Sequence, residues 1–325
     1  MRARCTTLTA TILVALAAAG AAAGCGVGPG EEQSGSAYLT VTRDYGTERL
    51  VEATVTDPAE SETVVRFLDR EAEIETEYAG NFVSSINGVA NEVIGGRSHD
   101  WFYYVNGYWW PVGAGEATIR PGDRVWWDHR DWSEAYRVPA VVGSWPEPFL
   151  HGYEGETFEV VIGCLAGGES CEVVRERLAD EGIEATIADG STEAGPETLR
   201  ILVGPWGEVR TDRTARLLER GPGESGVYGT PSLCNESWRL IVLGTDGQPA
   251  EVLDEAGWVV AAQRGDDQPT WVVSGTDEDR VAEAAALLEA ETLADRYALA
   301  TGAPGEAGEI PMPAPEGTGP VEGDC

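Results

Sequence analysis

The 325-residue chain contains no lysine: all 22 of its basic residues are arginine, set against 56 Asp and Glu. That absence removes Schiff-base chemistry, a lysine general base and the lysine of a Walker-type phosphate loop. The formal net charge of −34 argues against nucleic acid as a partner, because a phosphate backbone would be repelled over most of the surface. Histidine is scarce as well. His99, His129 and His151 are the only three, and no HExxH or GxSxG signature accompanies them. The chain is therefore read as a non-enzyme with no catalytic residue, no cofactor and no metal site. Beyond the N-terminal leader no run approaches the roughly 20 apolar residues needed to span a bilayer. What is present is 42% hydrophobic content, enough for two ordinary cores, and an acid excess that suits solubility at an exterior.

The leader sets the location. Arg2 and Arg4 precede LTATILVALAAAGAAAG, and Cys25 follows Ala22-Ala23-Gly24, the pattern of a signal peptide. Because the small residues end at a cysteine, the stretch resembles a bacterial lipobox, with Ala22 where leucine is usual. The resemblance implies removal of residues 1–24, lipidation of Cys25 and a flexible tether over 25–36, so that lipid alone anchors the protein outside the cell membrane. An ordinary secretory signal is the alternative. In an exported chain Cys164, Cys171, Cys234 and Cys325 are expected to oxidise. Cys164 and Cys171 are close enough for a local bridge, leaving Cys234 to pair with Cys325 or stay free. Spacings of seven and sixty-three residues with no nearby histidine do not suit zinc.

From Ala37, YLTVTRDYGTERLVEATV alternates around Asp44-Tyr45-Gly46 and predicts a hairpin. Asp57 as N-cap, Pro58 and Glu60 then predict a helix ending near Arg70, with Val64, Val65, Phe67 and Leu68 as its apolar stripe. IETEYAGNFVSSINGV, WFYYV, an Asn106-Gly107 turn, YWW and IRPGDRVWWDHRDW follow as strands and turns. A hairpin, one helix and several strands describe a small α+β domain.

The order SETVVRFLDR, IETEYAGNFVSSINGV, DWFYYVNG, RPGDRVWWDHRDW resembles the β-grasp domain at the C-terminus of transcobalamin and intrinsic factor. In bacteria it resembles the same module, a domain of unknown function of the 4430 type. The resemblance covers residues 37–132, most specifically Ser84 to Gly88, Trp101 to Gly107 and the Gly122-Asp123 turn. It implies a module that binds a soluble ligand, with cobalamin or another planar molecule as one candidate. The helical barrel that holds the other corrinoid face in those carriers has no counterpart here, and the Gly-rich loop from Val89 to His99, with Asn91 and Arg97, departs from the family.

Asp100 to Trp110 reads DWFYYVNGYWW, seven aromatics in eleven residues of a chain that is 8% aromatic overall. Trp101, Tyr103 and Val105 share one side of a strand and Phe102 and Tyr104 the other, while Trp126 and Trp127 repeat the conflict on the closing strand. One of each pair must leave the core. The expected ligand face comprises Tyr104, Asn106, Tyr108, Trp109, Trp110, Trp126 and Trp127, with rings suited to stacking on a small molecule. Burial of that face under the linker or the C-terminal half is the alternative. Asp128, Arg130 and Asp131 read as a salt-linked strand end.

Residues 133–154 are Pro-rich yet apolar at Val141, Val142, Trp145 and Phe149, a linker expected to pack along a domain. Over 155–300, FEVVIGCL, CEVVRERLADEG, IEATI, LRILVGPW, TDRTARLLERG, WRLIVLGTDGQPAEVL, WVVAAQ, TWVVSGT and a long helix capped by Thr276 and running to Thr292 predict an α/β or ferredoxin-like domain. Asp277, Glu278 and Asp279 fill the first turn of that helix and disfavour an anion there. A disordered acidic tail is expected over 301–325. Two functions follow: a surface lipoprotein that binds a small soluble ligand, a cobalamin-like one being what the resemblance above implies as a candidate, and serves a membrane transporter; or an envelope protein docking a protein or glycan through the aromatic face.

Overall fold

Alternation in SAYLTVTR turns Ala37, Leu39 and Val41 inward, where they are fully buried. In the computed structural model, which describes residues 30–165, 167–191, 195–302 and 308–314, this stretch is β1 (Ser36–Arg43). Cys25 with its leader and Cys325 lie outside the described residues. A left-handed turn at Asp44, Tyr45 and Gly46 leads into β2 (Glu48–Thr56), giving the expected hairpin. Glycine is required at 46, since a Cβ there would collide with the Asp295 carbonyl.

Helix α1 (Val64–Glu71) starts later than expected. Its N-cap is Thr63, whose Oγ1 accepts from Arg66 N at 3.3 Å, because Asp57 is held at φ 50° with its carboxylate accepting from Gly35 N at 2.9 Å. A separate small sheet of β3 (Ile74–Glu77), β4 (Phe82–Ile86) and β5 (Val89–Ala90) follows. Then β6 (Glu92–Ile94), β7 (Arg97–Val105), β8 (Tyr108–Trp109) and β9 (Arg124–Asp131) complete the first large sheet, in the order β2-β1-β9-β7-β6 with β8 on β7. The central pair β1/β9 is parallel and its neighbours antiparallel. Val64, Phe67 and Leu68 of α1 close one face over Leu39, Val41, Trp101, Tyr103 and Trp127.

The second half begins with β10 (Glu159–Cys164), α2 (Gly168–Asp180), β11 (Ala185–Asp189) and β12 (Thr198–Pro205). The short α3 (Trp206–Val209) and α4 (Pro222–Ser225) lead to an antiparallel sheet of β13 (Gly229–Cys234), β14 (Ser237–Leu243) and β15 (Pro249–Leu253). Next come β16 (Gly257–Ala262), β17 (Thr270–Gly275), α5 (Glu278–Ala286), β18 (Ala298–Thr301) and β19 (Glu309–Met312). The seven-stranded sheet runs β11-β10-β12-β17-β16-β18-β19, parallel as far as β17 and antiparallel beyond it. Helices α2 and α5 bury Cys171, Val174, Leu178, Val281 and Ala284 on one face against Ile162, Ile201 and Val273. The protein is thus a mixed α+β structure in which strands predominate.

Three local expectations change. TDRTARLLERG forms only a 3-10 helix over Ala215–Arg220, its entry held by Asp212, whose Oδ1 accepts from Thr214 N and Ala215 N. Asp277 rather than Thr276 caps α5, accepting from Arg280 N at 3.0 Å, while Thr276 Oγ1 accepts from Ala256 N; the helix stops at Ala286. The stretch after Ala300 is not uniformly a tail, since Ile310 and Met312 alternate inward from β19 at the sheet edge. Cys164, ending β10, and Cys171, in α2, form the expected disulfide with Cα atoms 6.0 Å apart. Cys234 is also disulfide-bonded, so the alternative that it stays free is not met.

Candidate functional site

The aromatic run divides across its sheet as the two-residue period demands. Tyr103 pairs with Trp127 on the α1 side, rings 5.1 Å apart, and Tyr104 pairs with Trp126 on the opposite side at 5.8 Å. That opposite side is not open. Tyr297, just ahead of β18, packs edge-on against Tyr45, Tyr104 and Trp126 at 5.0, 5.8 and 5.3 Å, and Tyr228, ahead of β13, meets Tyr45 at 5.3 Å. Phe102, Tyr104 and Trp126 belong to one buried cluster with Leu202, Trp258, Val260 and Val272 of the seven-stranded sheet. The expectation of an open ring face is corrected: Tyr104 and Trp126 are at most 3% exposed because the C-terminal half supplies the missing cover, and Trp127, 2% exposed, is buried on the other side in the α1 core.

The other expected residues do not converge either. Asn106 is fully buried in its turn, donating to Asp123 Oδ1 at 2.8 Å and Gly152 O at 2.7 Å and accepting from Arg124 N at 2.8 Å, so it pins the turn to the linker. Tyr108 stacks on Tyr153 with ring centres 4.3 Å apart. Trp110 packs against the α1 core, and Trp109 lies half-buried under the Arg137 guanidinium at 5.5 Å. Within the linker, Trp145 and Phe149 pack on Trp271 at 5.7 and 5.1 Å.

At the centre of the seam is a carboxylate. Asp128 is fully buried and accepts from Thr42 Oγ1 (2.5 Å), Tyr45 N (3.1 Å), Gly46 N (3.1 Å) and Tyr297 Oη (3.0 Å). Burial pushes its pKa up to about 6, against the pull of Thr42, Gly46, Tyr297 and nearby Arg130. The strand end is salt-linked through Asp131 alone, and not among Asp128, Arg130 and Asp131 themselves. Arg130, 1% exposed, lies 3.9 Å from the Phe102 ring centre and donates to the carbonyls of Asp131, Ala135 and Tyr136. Asp131 pairs instead with Arg97, and Arg97 Nη2 donates to Thr245 O at 2.6 Å, tying the first sheet to the β14–β15 turn. Burial disfavours the charged form of Asp131, but hydrogen bonds from Ser133 and pairing with Arg97 outweigh it and hold the carboxyl below its usual range.

Along this seam opens a cleft of about 570 Å³. The β1–β2 turn contributes Asp44, Tyr45 and Thr47, the β6–β7 hairpin Ile94, Gly95, Arg97 and His99, and the far wall Thr245, Pro313 and Ala314. Apolar walls with a few converging polar groups are the usual make-up of a small-molecule site. His99 stacks on the buried His129 at 6.0 Å, and burial, then His99, lowers the His129 pKa. Arg97 and His99 sit where the sequence departs from the family it resembles, which was the only available signal for this site. Among the described residues no three His, Cys, Asp or Glu side chains are grouped to hold one metal ion.

Residues 61–130 match a family described as a domain of unknown function, DUF4430. No curated protein matches the chain. Among solved structures, one from Ruminococcus gnavus ATCC 29149 described as a candidate metal binding protein is similar at 13% identity and a TM-score of 0.24, over 30% of this chain and 98% of its own.

Proposed function

We propose that the protein is an exported binding protein, anchored through a lipid on Cys25, that holds a small soluble ligand in the seam cleft. The observation that carries this reading is the cleft itself: Ile94, Pro313 and Ala314 offer apolar surface beside Asp44, Thr47 and His99 as hydrogen-bonding groups. The order β2-β1-β9-β7 with α1 on one face supports a β-grasp module for residues 37–132, and the parallel run through β17 favours an α/β unit over a ferredoxin-like one for residues 155–300. The transcobalamin-like resemblance makes a corrinoid one ligand to test. With the second aromatic face occupied by Tyr228 and Tyr297, a planar ring would have to enter the seam cleft instead. Delivery to a membrane transporter fits a lipid-tethered carrier.

The test is a thermal-shift screen of the exported Cys25→Ala protein against corrinoids, haem-like rings, nucleosides, glycans and divalent ions. A ligand of this site raises the Tm with concentration, and His99→Ala and Ile94→Asp abolish the rise. Stabilisation indifferent to both variants overturns the assignment. A second reading, docking of a protein or glycan, is favoured by the β6–β7 tip, where Val93 and Ile94 are 68% and 51% exposed; it expects no response to metabolites and loss of partner capture on Val93→Asp.

A further inference from the structure

A second cavity lies apart from the seam cleft, and its lining inverts the charge of the molecule. The chain has 56 acidic and 22 basic residues, yet Arg137, Arg213, Arg216, Arg220 and Arg264 all line one cavity of about 480 Å³. Glu224 is the only carboxylate among the described residues that line it. These arginines come from three separate parts of the fold. Arg137 follows β9 in the linker, Arg213, Arg216 and Arg220 lie in and just before the 3-10 helix, and Arg264 opens the β16–β17 connection. Only the tertiary structure brings them together.

The back wall is organised rather than loose. Arg137 is half-buried beneath the cavity, rests on the Trp109 ring and donates through Nη2 to Gln263 Oε1 at 2.6 Å; Gln263 Nε2 donates in turn to Asp267 O at 2.7 Å. Arg264 pairs with Asp267 at 2.7 Å, and Arg216 Nε donates to Arg210 O at 3.1 Å. The Arg220 side chain has neither hydrogen bond nor ion pair with any described residue, and the residue is exposed and lines the cavity. Arg264 already has Asp267 as counter-ion, but guanidinium groups that share a cavity, as Arg216 and Arg220 do, are unfavourable neighbours until an anion enters beside them. Their planar forks match tetrahedral oxyanions through paired N–H donors, and a recess focuses the local positive field.

We propose that this cleft binds a compact, multiply charged phosphoryl anion. The surrounding net charge of −34 excludes a long acidic polymer, whereas a small anion meets only the local field. The cavity volume lies in the range of small-ligand sites. The phosphoryl group comes either from a soluble molecule or from a phospholipid headgroup, and the two sources are separable.

The experiment titrates the exported Cys25→Ala protein with inorganic pyrophosphate by calorimetry. In parallel, the protein is sedimented with vesicles of phosphatidylglycerol and phosphatidylcholine. Saturable one-to-one binding that weakens with salt, is not competed by acetate and falls at least tenfold in Arg216→Ala and Arg220→Ala supports the proposal. Both positions are exposed, so unchanged circular dichroism and Tm certify the fold of the variants. Capture by vesicles alone, lost in the same variants, assigns the phosphoryl group to lipid. Failure of both probes to bind, or binding that neither substitution weakens, overturns it.

Discussion

Tyr104, in the strand richest in aromatics, meets Tyr297 from the other end of the chain edge-on with ring centres 5.8 Å apart. Tyr297 also donates its hydroxyl to Asp128. One residue of the C-terminal half thus packs on the second aromatic face and adds a hydrogen bond to the carboxylate beneath it, within a core that the two halves share.

Truncations should separate core rings from the others. Tyr104→Ala is expected to cost about 3–5 kcal/mol, as for a large buried ring, and Trp109→Ala distinctly less, because Trp109 is only half-buried. Trp109→Ala should also loosen Arg137 and weaken pyrophosphate binding without unfolding the protein. Denaturant melts of the two variants check this; equal losses of stability would contradict it.

The raised pKa of Asp128 has a pH signature. Its folded value of about 6 lies above its unfolded one near 4, so between those pH values the folded state holds a proton that the unfolded state has released. Its contribution to stability is therefore fully present below about pH 4, declines as pH rises through 6 and levels off above. The expected change is on the order of 2–3 kcal/mol. Asp128→Asn should lose this component of the pH slope while being destabilised at pH 7, since a single amide oxygen cannot accept from all of Thr42, Tyr45, Gly46 and Tyr297. Urea melts from pH 4 to 8 on both proteins give the comparison.

Reducing the Cys164–Cys171 bridge should loosen the β10–α2 connection. Closing so short a loop is worth about 2–3 kcal/mol, and Cys171→Ser should lose that amount together with the packing of a fully buried side chain. Non-reducing peptide mapping of exported protein should recover the Cys164–Cys171 peptide; free thiols at both positions would exclude the bridge in the cell.

Anchoring is tested separately. If Cys25 carries the lipid, Cys25→Ala should move the protein from the membrane fraction to the medium with its Tm unchanged. Retention on the membrane would sink the anchor.

Local chemistry carried much of this protein in its sequence: the β1–β2 hairpin with its turn at Asp44 to Gly46, the apolar stripe of α1, the β10–α2 disulfide and an apolar linker that had to pack somewhere. The period of two also stated the central conflict, that rings at Tyr103 and Tyr104, or at Trp126 and Trp127, cannot all face one core. It could not name what covers the second face. Tyr228 and Tyr297 lie more than a hundred residues away, and nothing local distinguishes an aromatic that awaits a ligand from one that awaits another part of its own chain. Asp57 likewise looked like a helix cap until Gly35 claimed its carboxylate, and β19 was hidden by the proline and glycine around it. The seam cleft and the arginine cavity are decided in the same way. Each gathers side chains from turns and connections far apart in sequence, and such convergence depends on how the two sheets pack, which local periodicity does not encode.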